Sequence, residues 1–399
     1  MRPLSNRYKH FRTKLKGEPT ATNMTRTFTC LLVFSFALAF FASAAQAQNV
    51  HRTFDVAAGS RLELDLETGG DITITGWDKN QVDITVTVEG RDKDDISFNI
   101  EQNSRGVEIS SEFQKRRARA DVNMVIRVPR KFDLEVSTTG GDVHVENIDG
   151  KIEGSSMGGD IVLTGLNGFV EFSTMGGDIQ LTNSTVDGSV HTMGGDVDIT
   201  DVTGSVQGTT MGGNVTQNNV KSGKAGSNSE VKINTMGGDV NVDEALNGAD
   251  LHTMGGEIRV RKAAKFVKAT TMGGDIDVDA IDGWIEANTM GGDIMVTMVG
   301  GKDGDRHVVL ESMGGTIELT VPAGLSMAFD IEVKLTRDAD DGEYTIESDF
   351  DVSVSQEKNR SDSRWKSGGV ITGTGSVNGG RNKIKIRTTN GDVIIREGR

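Results

Sequence analysis

The chain has 399 residues, a formal net charge of −15, 51 glycines, 4 prolines, one cysteine and 5% aromatic residues. This acidic balance excludes a strong nucleic-acid footprint, and the lone Cys30 excludes a disulfide framework or a thiolate zinc site. Hydrophobic residues make up only 35%, yet they recur so regularly that the deficit reflects glycine rather than disorder.

Residues 1–47 read as a segment removed on export. An apolar run of 12 residues from Cys30 to Phe41 is too short to span a bilayer but suits the core of a signal peptide, with Arg26 just before it. Ala45 and Ala47 place small residues where a signal peptidase reads, so cleavage is expected before Gln48. Met24 is the expected start, since it would open a signal of ordinary length. The segment carries seven Lys or Arg and one acid, so the mature chain keeps 36 bases and 57 acids and a net charge of −21. No later stretch approaches the roughly 20 apolar residues of a membrane helix.

Residues 48–135 alternate apolar and polar residues without a strict repeat and are expected to form an N-terminal β cap. Residues 136–320 carry the repeat itself. Met-Gly-Gly recurs nine times, with methionine at 157, 175, 193, 211, 236, 254, 272, 290 and 313. Most steps are 18 residues, and two are lengthened by seven and five residues, around Ser222 to Asn228 and Gly300 to Arg306. Four residues after each methionine stands an Ile or Val, such as Ile161, Ile179 and Val197, and two further on eight of nine positions are apolar, with Gln217 the exception. Apolar alternation returns before the next methionine, as at Val170 and Phe172, so each rung holds two short strands.

A rung of this size cannot bury its apolar face alone, whereas parallel stacking at about 4.8 Å makes a continuous core. The expected fold is therefore all-β: a parallel β-solenoid of 18-residue rungs. Its glycine pairs should lie at corners that favour positive φ. Residues 321–399 lose the strict period and are expected to form a β-rich C-terminal cap, in which the alternating run Lys383 to Arg387 suits a protected edge strand.

The Thr-Met-Gly-Gly-Asp-Ile repeat, the lead-in from Val128-Pro129 to Gly140-Gly141-Asp142, and the ending from Asn378-Gly379-Gly380 to Thr389-Asn390-Gly391-Asp392 resemble the bacterial putative-adhesin β-strand-repeat family. The resemblance spans most of residues 50–399. It implies an exported β-repeat protein and supplies no catalytic residues to carry over. This chain departs from its own flanking units at the repeated methionine, where those units have Thr68, Thr139 and Thr389.

Three columns could carry chemistry, and each has a structural reading. The acidic column, Asp160, Asp178, Asp196, Asp239, Asp275 and Asp293, interrupted by Asn214, Glu257 and Thr316, is expected to cap turns through hydrogen bonds, with divalent-cation binding the alternative. The methionine column is expected to be a flexible apolar spine along the turn, with soft thioether ligation of copper the alternative. The preceding column, Ser156 to Ser312 with seven threonines, should be a buried hydroxyl ladder rather than an exposed binding face. His51, His144, His191, His252 and His307 are scattered, and the basic cluster from Lys115 to Arg119 reads as a solvated loop that could alternatively touch lipid headgroups or an acidic polymer. No catalytic, cofactor-binding or metal-ligating residue is assigned, and no cofactor is expected. The functional expectation is a non-enzymatic exported solenoid, periplasmic or at the cell surface. Its partners would be envelope or extracellular proteins or polysaccharides, with no nucleic acid and no transmembrane segment in the mature chain. The alternative is a polysaccharide-acting enzyme on a β-helix scaffold.

Overall fold

Period-two apolar runs with little proline favour ladders of short strands. The computed structural model is built from such ladders, and describes residues 48–398 except 116–118, 222–229, 337–341 and 359–367. The expected signal segment, the first insertion and the middle of the basic cluster lie outside the described residues. Among those described, 31 strands join one continuous hydrogen-bonded sheet, and the only helical element is a 3-10 turn at Lys93–Asp95. The protein is all-β and solenoid-like.

In most rungs of the repeat region one strand follows the glycine pair and another leads to the next methionine, as expected, whereas Ile258–Thr270 and Ile276–Thr289 each run through their rung as one continuous strand. Ile161–Thr164 lies parallel between Val143–Glu146 and Ile179–Thr182, with Ile161 beside both Val143 and Ile179. Asn167–Thr174 lies parallel between Asp149–Ser156 and Thr185–Thr192. Alternate side chains enter the interior: Ile161, Leu163, Ile179, Leu181, Val197 and Ile199 are fully buried and belong to one core cluster. Gln217 is buried in this apolar column, where its Nε2 donates to the Val206 carbonyl at 3.3 Å.

A second corner of the rung is set by backbone conformation. Asn147, Gly165, Asn183, Asp201 and Asn219, successive residues of one column, all have φ between 50° and 64°. Asn, Asp and Gly tolerate this left-handed region best, because short polar side chains bond locally and glycine lacks a Cβ.

The first corner corrects an expectation. Positive φ occurs at Gly141 and Gly159, but not at the second glycine of any later Met-Gly-Gly corner. Those glycines are required by contact: a Cβ on Gly177 would lie 1.9 Å from the Gly159 carbonyl oxygen, and one on Gly256 2.1 Å from that of Gly238. The demand for glycine comes from the adjacent rung rather than from φ.

Both ends mix parallel and antiparallel pairing. Gln48–Asp55, Gln81–Glu89 and Asp121–Pro129 form an antiparallel set, while Arg61–Leu66 and Asp71–Trp77 continue the parallel ladder onto Asp133–Thr138 and Val143–Glu146. At the other end, Asn382–Thr389 is not an edge strand. It lies parallel between Val308–Ser312 and Met327–Leu335, with Ile384 and Ile386 fully buried. Its outward bases answer acids on both neighbours: Lys385 reaches Glu311 at 2.5 Å and Arg387 reaches Asp330 at 2.7 Å. The alternation of bases and isoleucine serves an interior position with one solvated face.

Ile276 is fully buried, whereas the adjacent Asp275 uses Oδ1 to accept the Asp293 amide at 2.7 Å, a bond that an asparagine can equally accept. Ile276→Asp should cost more than about 4 kcal/mol, the range of an unpaired charge in a core. Asp275→Asn should cost under about 1 kcal/mol. Denaturant unfolding of the two variants tests this, and equal midpoints would invert the assignment of inward and outward faces.

Candidate functional surface

The recurring corner is built from three neighbouring residue types, each with a separate task. The hydroxyl column is buried and ties rung to rung. Thr192 Oγ1 donates to the Gly177 carbonyl of the preceding rung at 2.8 Å and accepts the Gly195 amide of its own rung at 3.3 Å. Thr210, Thr235, Thr253, Thr271 and Thr289 repeat the pair of bonds, and Ser312 does so with Gly292 and Gly315. The buried-ladder reading of this column holds.

The acidic column forms a second ladder. Asp160 Oδ1 accepts the Asp178 amide at 2.9 Å, Asp178 accepts that of Asp196 at 2.8 Å, and Asp196 accepts that of Asn214 at 2.7 Å. Asn214 Oδ1 in turn accepts the Asp239 amide at 2.7 Å, so the interruption keeps the hydrogen bond and drops the charge. Amide donors aimed at each carboxylate offset the repulsion between stacked acids. These acids line a shallow groove of about 460 Å³ that also includes Gln180, Asp198 and Asn241. Among the described residues no group of three or more His, Cys, Asp or Glu is placed to hold a metal ion.

The methionine column faces outward. All nine side chains are between 42% and 64% exposed, so the row is a surface feature and not a lining of the core. The corners remain stacked: the Met272 amide donates to the Met254 carbonyl at 3.3 Å. The two longer steps do not break the stack, because a Cβ on Gly238 would meet the Gly213 oxygen at 2.0 Å and one on Gly315 the Gly292 oxygen at 2.0 Å.

The histidines are not brought together. His191 and His252 share a column, with Thr209 and Asn234 between them. His51 bonds Asp83 at 2.6 Å, His252 bonds Asp250 at 3.0 Å, and His307 Nδ1 accepts the Lys383 amide at 3.0 Å. Charge pairs also cross rungs, as between Arg261 and Asp243, where the hydrogen-bonded guanidinium holds the Asp243 carboxyl below the usual carboxylate range. Asp277 is shifted the other way, first by partial burial and then by Asp279.

Two features had little sequence signal. Arg306 ends the second insertion and is buried, its guanidinium paired with Asp282 and its Nε donating to the Val299 carbonyl at 3.1 Å. Its backbone amide donates to the buried Asn382 at 2.8 Å, fastening the insertion to the last rung. Phe266 and Trp284 stack with centroids 5.2 Å apart, and Phe266 covers Gly248, where a Cβ would lie 2.2 Å from the ring.

The Toastrack DUF4097 family model matches residues 59–261, just over half of the chain. Similar solved structures include a putative adhesin from Parabacteroides merdae, 11% identical, with 68% of this chain and 96% of that chain covered and a TM-score of 0.31. One from Parabacteroides distasonis is 14% identical, covering 68% and 97%, with a TM-score of 0.30. A putative cell adhesion protein from Clostridium sporogenes is 10% identical, covering 88% and 100%, with a TM-score of 0.21. None of the curated proteins matches the sequence. Among the described residues no helix is long and apolar enough to cross a membrane.

Thr210→Val keeps the side-chain volume but removes both hydroxyl bonds, leaving the part-buried Gly195 carbonyl and Gly213 amide without that partner. It should cost about 1–3 kcal/mol. Thr210→Ser retains the hydroxyl, as Ser312 does in its own rung, and should lose less than the valine variant. Equal unfolding midpoints for the two would show that the hydroxyl bonds contribute nothing net.

Proposed function

This chain belongs to the Toastrack DUF4097 family, and from that premise we propose that it is a non-enzymatic exported scaffold. It acts as an adhesin or envelope-binding solenoid, built from 18-residue rungs over residues 136–320 and closed by caps at 48–135 and 321–399. Residues 1–47 serve as the signal, and the mature chain works in the periplasm or at the cell surface. Its partners are envelope or extracellular proteins or polysaccharides.

The observation that carries this reading is the engagement of the acidic ladder. Any two acids in an acidic solenoid can mimic a catalytic pair, but here successive carboxylates each accept the backbone amide of the following rung. Their orientation is committed to the scaffold. Catalysis calls for unlike groups converging on one locus, whereas this molecule repeats like groups along a line. Repetition of equivalent weak contacts suits avidity, which can exceed the affinity of any single contact by orders of magnitude.

Deletion of whole repeat units with both ends retained, for instance residues 158–175, should weaken retention on envelope polymers or intact cells in graded steps. Pulldown and cell-binding assays over a series of such deletions read this directly. The scaffold reading falls if one point substitution that leaves the fold intact abolishes a measurable hydrolytic or lyase activity.

A further inference from the structure

The methionine row has no part in the core and none in the hydrogen bonds that join the corners through side chains. Nine thioethers nevertheless stand half exposed along one line. Common descent of the repeats does not by itself account for this uniformity. An outward column of the same rungs reads Val162, Gln180, Asp198, Thr216, Asn241 and Arg259, six residue types in six adjacent paired positions. Positions free to vary have varied, while the corner has kept methionine in nine of nine rungs. The scaffold does not require it, since the flanking units carry Thr139 and Thr389 at the same corner. Nor do the two insertions displace it, because the glycines that follow Met236 and Met313 still stack on those of the preceding rung.

The geometry points to a soft-metal site: thioethers of successive rungs bind monovalent d10 ions such as Cu(I) or Ag(I) in bridging pairs. Thioether sulfur is a soft donor that selects Cu(I) over hard divalent ions. A metal–sulfur bond is about 2.3 Å, so two bonds end to end reach about 4.6 Å, against a rung spacing of about 4.8 Å. Three rotatable bonds let each sulfur close the small difference. The ladder thus supplies register, and the side chain supplies adjustment. The many acids of the chain favour accumulation of cations at the surface. This inference does not depend on the adhesive role proposed above.

The test uses the full chain carrying Cys30→Ser, so that no thiol competes, and Ag(I) as a redox-inert probe. Two variants remove four sulfurs each. The alternating variant changes Met175, Met211, Met254 and Met290 to threonine, leaving five methionines separated by two rungs, about 9.6 Å. The block variant changes Met157, Met175, Met193 and Met211, leaving five in adjacent rungs. If neighbouring pairs bind, the parent chain retains about four ions after desalting, the block variant about two and the alternating variant fewer than one, because bridging needs adjacent soft donors. Equal retention by the two variants overturns the proposal, as does undiminished retention when all nine are threonine. Should the variants unfold, the parent chain labelled with 13C-methyl methionine decides the matter. Ag(I) must shift the corner methyls while leaving those of the buried Met124 and Met327 in place, and unmoved corner methyls refute the site.

Discussion

The backbone at the glycine corner constrains everything else in this molecule. The carbonyl of the second glycine in one rung occupies the space where a Cβ would stand on the next, within about 2 Å. Corners can therefore stack only if that residue is glycine, and only in one register. The buried hydroxyl one position before the methionine then bridges the same carbonyl to its own rung's glycine amide, and the acid after the pair receives the next rung's amide. Glycine sets the distance, threonine fastens it and aspartate extends the ladder past the turn. Methionine lies between these groups with its side chain in solvent, which is why its identity is a question of surface chemistry.

Much of this was legible in the sequence. Column chemistry identified the inward Ile and Val positions and the buried hydroxyls, because burial of an apolar face and satisfaction of a buried polar group leave residue types that repeat. Hydrogen-bonded capping by the acidic column followed from the substitution of Asn214, which can accept the same bond. What escaped was information carried by contacts between distant segments. The reason for glycine lies in a neighbouring rung, so local conformation offered the wrong cause. The left-handed corner at Asn147, Asn183 and Asp201 left a signal, Asn, Gly or Asp eight residues after the methionine, that reading apolar columns alone passes over. Arg306 and Asn382 meet across 76 residues, and no periodicity connects them.

Electrostatics on the outer faces follow the same rung-to-rung logic. Basic residues face acids one rung away, as Arg261 does Asp243 and Lys262 does Glu244. Individually such exposed pairs contribute little, since water and salt screen them. Collectively they place bases among stacked acids in a chain of net charge −15. Asp277 is held above the usual carboxylate range by partial burial first and by nearby Asp279 second, with Arg259 acting against both.

The placement of Asn382–Thr389 bears on how the molecule comes into being. The residues of this strand occupy a slot between two strands that precede them in the chain, Val308–Ser312 and Met327–Leu335. Until they arrive, both of those strands carry an open row of N–H and C=O groups, the kind of edge that recruits other chains. Closure also joins residues 57 to 76 positions apart, a non-local contact that forms slowly. Completion of the ladder thus depends on this strand, and a chain truncated near residue 380 would be left sticky rather than merely shorter.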